Sequence, residues 1–269
     1  MGLIETAIAR SAEPAPPSAV EVHGLRTQFG THVVHDNLDL TIERGEVFGL
    51  VGGSGSGKSV LVHTIIGLIQ PRAGQIRVFG HDTQAAGSAE AQALRRRWGV
   101  MFQDGALFSS LTVAENIDVP LKEHTRLKPR DRRAIVALKL RLSGLDPSVG
   151  VKYPAELSGG MRKRAGLARA LALDPEIVFL DEPTAGLDPI GAAHFDELVL
   201  ELQSALGLTV VMITHDLDSL YTTCNRIGVL LNKQAICGTI REIRERPEPW
   251  IHDYFNGPRG RAAAYAGAA

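Results

Sequence analysis

The chain has 269 residues, 44% of them hydrophobic, with 29 Lys or Arg against 30 Asp or Glu and a net charge of −1. That length suffices for one large domain or a domain with a subdomain, and the charge balance excludes a chain built mainly to coat nucleic acid. Cys224 and Cys237 are too few for a disulfide framework or a four-cysteine metal site, and read as small core residues of a reducing compartment.

No run reaches the roughly 18 apolar residues of a membrane span. The start, MGLIETAIAR, lacks the basic-then-apolar layout of a secretory signal, so a soluble cytoplasmic chain is expected. Residues 1–18, with Pro14, Pro16 and Pro17 among Ala and Ser, predict a disordered leader ahead of a domain over 19–250. Short apolar runs bounded by turn residues then recur: Val47–Val51, Gly99–Phe102, Ile177–Leu180, Thr209–Ile213 and Ile227–Leu231. Continuous apolarity suits strands covered on both faces, and the helical periodicity between several of them predicts an α/β sheet. Residues 104–160 differ, with charged helical stretches such as Pro129–Leu142 and no strand pattern. They predict a helical insertion. The end, residues 251–269, turns Gly/Ala-rich from Gly257 and is expected to be a partly disordered tail.

Between the strand Val47–Val51 and a helical run Val60–Leu68 lies Gly52-Gly53-Ser54-Gly55-Ser56-Gly57-Lys58-Ser59, which fits the phosphate-loop pattern G-x-x-x-x-G-K-[ST]. Glycines let successive N–H groups turn around a phosphate, and the next helix offers its positive end. Lys58 is expected to reach the β- and γ-phosphates, and the Ser59 hydroxyl to join a Mg²⁺ shell. Residues 176–182, Glu-Ile-Val-Phe-Leu-Asp-Glu, form an apolar strand ending in two carboxylates. Asp181 at the tip suits Mg²⁺, and Glu182 suits a general base for water, a role worth about 10²–10⁴ in rate. His215, just beyond another strand, stands at a comparable tip and is placed to meet the γ-phosphate.

The run Leu157-Ser158-Gly159-Gly160-Met161 resembles the signature motif of ABC-type ATPases. Ser158 is a good N-cap, and the two glycines expose N–H groups to an anion. The helix that follows carries Met161, Ala165, Ala168 and Ala172 on one packing face, while the Arg162–Arg164 run reads as a solvated face. The resemblance covers about residues 20–240. It implies a P-loop NTPase (RecA-like) core with an antiparallel β subdomain and the inserted helical subdomain. It also implies ATP and Mg²⁺ as ligands. Further matches are Phe29 with the adenine-stacking aromatic, Gln103 with the glutamine that joins Mg²⁺ and water to the helical subdomain, and Asp188 with the loop that communicates across a dimer. His215 matches the switch histidine. The family pairs two subunits head-to-tail, so Ser158, Gly159 and Gly160 of one cover ATP on the loop of the other.

The block MFQDGALFSSLTVAENIDVPLKEHT at 101–125, the Met161 signature and the stretch at 247–257 are similar to the Mla/Mce branch. That resemblance implies phospholipid transport between inner and outer membranes, with a homodimer of ATPases and two integral-membrane permease subunits. A Mce-domain lipid-binding protein and a small STAS-domain subunit are the further partners it implies, at the cytoplasmic face of the inner membrane and without nucleic acid. The alternatives are a transporter of another substrate, or an ABC ATPase acting on nucleic acid or ribosomes.

Overall fold

The computed structural model describes residues 18–84 and 88–257. Apart from Ser18, the expected leader lies outside the described residues, as does the tail beyond Gly257.

The chain begins with strands β1 (Val20–Phe29) and β2 (His32–Ile42), followed by β3 (Val47–Gly52) and helix α1 (Lys58–Ile65). Next come β4 (Ala73–Val78), β5 (His81–Asp82), α2 (Ser88–Arg95) and β6 (Trp98–Met101). A mainly helical stretch holds α3 (Val113–His124), α4 (Pro129–Leu142) and α5 (Gly159–Ala170). The remainder is β7 (Ile177–Asp181), α6 (Pro189–Leu206), β8 (Thr209–Ile213), α7 (Leu217–Thr223), β9 (Arg226–Leu231), β10 (Gln234–Gly238), α8 (Ile240–Arg244) and α9 (Pro249–Asn256).

Two sheets result. One is antiparallel, in the order β2-β1-β4-β5; the other has the order β10-β9-β3-β8-β7-β6 and is parallel from β9 to β6. All five residues of β8 are buried, as are the first five of β3, which is why these strands are apolar without alternation. One face of the parallel sheet packs Phe48 and Leu50 with α1 (Leu61, Ile65) and the antiparallel sheet (Val20, Val22). The other face packs Val210 and Met212 against Phe195, Val199 and Leu202 of α6.

Helices α3, α4 and α5 share a separate core of Val113, Ile117, Val136, Leu140, Ala165, Ala168 and Ala172. This core therefore extends past residue 160, because α5 supplies its small-residue face. Met161 packs against the same cluster, which accounts for an apolar side chain there. Helix α3 starts from a reciprocal capping box, Thr112 with Glu115, and α4 starts with Pro129 in its first turn.

Helix α9 straddles the boundary expected at residue 250. Eight residues form no stable helix alone. It is held by burying Ile251 and Phe255, each worth about 2 kcal/mol, against Val51 and Val229. Cys224 and Cys237 are free and pack among apolar groups, where burial pushes their thiols up to about 12 and about 11. Among the described residues no helix is long and apolar enough to cross a membrane.

Candidate active site

Strand register brings the predicted residues to one edge of the parallel sheet. Leu50 pairs with Ile213, Ile213 with Asp181, and Met101 with Leu180. The phosphate loop, His215, Asp181–Glu182 and Gln103 thus follow the carboxyl ends of β3, β8, β7 and β6, where ligands bind in open α/β sheets.

The loop runs from Gly52 to Gly57, whose φ of 97° caps α1. A Cβ at Gly57 would lie 2.5 Å from Val34 Cγ1 and 2.6 Å from His35 Nε2, so only glycine fits beneath β2. Lys58, the first residue of α1, curls back to donate from Nζ to the carbonyls of Gly52 (2.8 Å) and Gly53 (3.1 Å). Burial lowers its amine from the ordinary value, against the pull of Glu182 and Asp181.

Beside the loop, the Ser59 hydroxyl donates to Asp181 Oδ2 at 3.3 Å. Burial raises the Asp181 carboxyl; the Ser59 hydrogen bond opposes the shift and the neighbouring Glu182 charge adds to it. Glu182 Oε2 and His215 Nδ1 are 2.7 Å apart, with side chains 18% and 71% exposed. The carboxylate is sheltered and the imidazole reaches it from solvent. Glu182 has φ 50°, a strained conformation for a non-glycine residue, made more so by the following Pro183. Its N–H donates to the Ile213 carbonyl (2.9 Å), and its own carbonyl accepts from Lys163 Nζ (2.7 Å). A cleft of about 430 Å³ opens here, lined by Glu182, Gly186, Leu187, Thr214, His215 and Asp216 among others.

Gln103 is exposed in the 3-10 turn after β6. Phe29 ends β1, 50% exposed, in the hairpin whose β2 covers Gly57. Ser158 caps α5 by accepting from the Met161 N–H (3.3 Å), and nothing lies within 4 Å of where a Gly159 Cβ would be. Asp188 caps α6 by accepting from the Gly191 N–H (2.9 Å). A Cβ at Gly160 would lie 3.8 Å from Leu187 Cδ2, so the signature segment and the Asp188 loop are neighbours on a second surface.

The ABC transporter family model matches residues 35–185. This chain belongs to the ABC transporter family. It is 41% identical over 242 residues to the probable ribonucleotide transport ATP-binding protein mkl of Mycobacterium tuberculosis, covering 90% of this chain and 67% of that one. It is 34% identical over 246 residues to the intermembrane phospholipid transport system ATP-binding protein MlaF of Escherichia coli K12, covering 91% of each. The dimeric ATP-binding cassette MJ0796, bound to ADP and Pi in a post-hydrolysis state, superposes with a TM-score of 0.75 at 29% identity. That match covers 82% of this chain and 98% of the cassette. The ABC cassette described here hydrolyses ATP, and its fold is the one its motifs implied.

One expectation fails. The Arg162–Arg164 run is not a solvated face: Lys163 is buried, Arg162 donates to the Leu157 carbonyl (2.9 Å) and Arg164 to the Ser143 carbonyl (3.2 Å). The first turns of α5 lie against the Gln103–Gly105 turn and the Ser143–Gly144 end of α4, so its cations turn inward to carbonyls. Two further contacts escape sequence reasoning. His35 is buried under the loop, with Nδ1 2.6 Å from Thr27 Oγ1, and burial pushes its imidazole down to about 4 against the pull of the Gly57 backbone. Tyr254 of α9 donates to the His215 carbonyl at 3.3 Å; burial raises its phenol, which stays an O–H donor. Neither contact has a motif: Thr27 and His35 are paired polar residues in a hairpin whose register shifts break the alternation, and Tyr254 reaches His215 across 39 residues.

Proposed function

We propose that this ABC ATPase energises phospholipid transport between the inner and outer membranes, as its MlaF relative is named for. The observation that carries the hydrolytic half is the Glu182–His215 pair at 2.7 Å beside a phosphate loop. The lipid half rests on the match to MlaF over 91% of both chains.

The donor set fits Mg²⁺. Ser59 and Asp181 present hard oxygen ligands 3.3 Å apart, and among the described residues no group of three His, Cys, Asp or Glu forms a cage of its own. Such a site is completed by substrate phosphates and water, as Mg²⁺ prefers. When bound, the ion neutralises charge on the phosphate oxygens. Phe29 stacks the adenine, Gly52–Gly57 direct N–H groups at the phosphates, and Lys58 leaves the loop carbonyls for the β- and γ-phosphates. Glu182 takes a proton from the attacking water, while His215 orients it and meets the γ-phosphate. Gln103 joins this centre to the helical region.

Two copies pair head-to-tail, with Ser158, Gly159 and Gly160 of each closing the other's nucleotide and Asp188 beside the contact. A groove of about 480 Å³ between β6, α3 and α5, lined by Trp98, Phe102, Phe108 and Pro120 among others, receives a permease segment. Phe108 there is 53% exposed, and Arg169 ties the groove to the Gln103 turn through the Gly105 and Ala106 carbonyls at 3.0 and 2.9 Å. Two permeases hold the ATPase pair at the cytoplasmic face of the inner membrane. A Mce-domain lipid-binding protein and a STAS-domain subunit complete the assembly.

The relative named for ribonucleotide transport favours a second cargo. Purifying the chain with its membrane partners and identifying the bound molecule by mass spectrometry decides between them. Bound phospholipid and a Mce-domain subunit support the first reading; a nucleotide cargo without lipid overturns it.

A further inference from the structure

The ammonium of Lys163 sits on a helix that the nucleotide chemistry does not itself assign to the general base. Lys163 is 2% exposed, and taking an ammonium out of water costs several kcal/mol unless its bonds repay the loss. Helix packing alone is better served by an apolar side chain. One bond it makes is to the carbonyl of Glu182, at 2.7 Å.

That carbonyl belongs to a peptide that needs holding. Glu182 stands at φ 50° immediately before proline, a conformation that persists only when its surroundings fix it. Its N–H is fixed by β8 through the Ile213 carbonyl at 2.9 Å. Lys163 fixes the other side, and the Cα–Cβ direction that delivers the carboxylate to His215 follows from both. Hydrogen bonds to a charged donor are the stronger kind, comparable in size to the backbone strain they hold in place here.

We propose that Lys163 is a positioning residue for Glu182 of its own chain, acting from the helix whose Ser158–Gly160 end closes the partner's ATP site. This rests on the head-to-tail arrangement above. In α5 Lys163 lies five residues after the Ser158 cap, about 7.5 Å along a rigid helix. A displacement of α5 when it meets the partner's nucleotide therefore reaches the Glu182 carbonyl of the same chain. Each general base is set by the helix that senses the opposite site.

Lys163→Met in the full chain is expected to slow hydrolysis about 10- to 100-fold with KM for ATP nearly unchanged, since a small misplacement of a reacting group costs that much. The ATP–Mg²⁺ dimer should accumulate on gel filtration, as signature and loop are intact, and Lys163→Arg should restore most of kcat. Mixed dimers give the sharper reading. With Lys163→Met and Glu182→Gln in one subunit, the other site is whole and about half the activity remains. With the two changes in opposite subunits, both bases are lost and activity collapses. The reverse pattern means that Lys163 only supports the signature over the partner's nucleotide, and it overturns the proposal. So does hydrolysis by Lys163→Met within twofold of the unsubstituted protein. If Lys163→Met does not fold, Lys163→Leu, apolar and equally without a donor, is put through the same mixed dimers and read the same way. Hydrolysis that survives Glu182→Gln in both subunits defeats the general-base assignment itself, whatever Lys163 does.

Discussion

The phosphate loop and the hydrolytic corner lie side by side yet are built differently. The loop is made of backbone: glycine conformations, the start of α1 and a lysine folded onto two carbonyls. The corner is made of side chains from separate strands, with Glu182 strained and braced by Lys163 of α5, and His215 braced by Tyr254 of α9. A backbone site depends on a few contiguous residues. A side-chain site depends on everything that aims it, so the corner is where distant elements act on the reaction.

The largest effect separates the two regions. Glu182→Gln should lower hydrolysis by about 10²–10⁴ while ATP affinity holds, measured by phosphate release beside equilibrium nucleotide binding. Near-normal turnover would sink the division of labour.

Next in size is a pair of opposed pH responses. His35, under the loop, has its pKa pushed down to about 4 from 6.5, so the unfolded chain binds its proton more tightly. Its stabilising contribution, about 3 kcal/mol, is present above pH 6.5 and lost as pH falls toward 4. Asp196 of α6, behind the corner, accepts from the Ser219 hydroxyl at 2.6 Å, and burial raises its carboxyl from 3.8 to about 6. Here the folded chain binds the proton more tightly, so a similar contribution is present below pH 3.8 and lost as pH rises through 6. Relative to the unsubstituted protein, His35→Leu should gain stability as pH falls from 6.5 to 4, and Asp196→Asn as pH rises from 4 to 6. Urea unfolding across that range checks both, and parallel curves for all three proteins would refute the pair.

Lys58→Ala tests the loop alone. It should raise the Kd for ATP about 30-fold, the worth of about 2 kcal/mol of charge-assisted bonding, as titration calorimetry would show. The smallest effect belongs to the corner's outer brace. Tyr254→Phe removes one 3.3 Å bond to the His215 carbonyl and should lower kcat only a few-fold, with KM for ATP unchanged, in steady-state kinetics. A larger change in KM than in kcat would place α9 with the loop instead.

The same contrast explains what the sequence reveals. The loop is legible because its conformational needs are written as glycines in one run. The parallel strands are legible because burial on both faces makes them apolar throughout. Strands β1 and β2 have no such signature: register shifts between Val22 and Leu25 and again before Thr27 break the alternation, and Thr27 and His35 are buried polar residues. Only the resemblance to ABC ATPases implied that sheet. Asp181 and Glu182 stand out as carboxylates ending an apolar strand, whereas His215 stands out by position alone. Lys163 is misjudged because a basic run has the composition of a surface, and nothing local says that a strained peptide lies across from it.

His35 and Asp196 have one more consequence. Between about pH 4 and 6 the folded chain keeps a neutral imidazole and a neutral carboxyl, whereas the unfolded chain carries an imidazolium and a carboxylate at the same two positions. For this pair, folding in that range takes up and releases no net proton. It transfers one from histidine to aspartate, erasing two opposite charges as the two sides of the ATP site become buried.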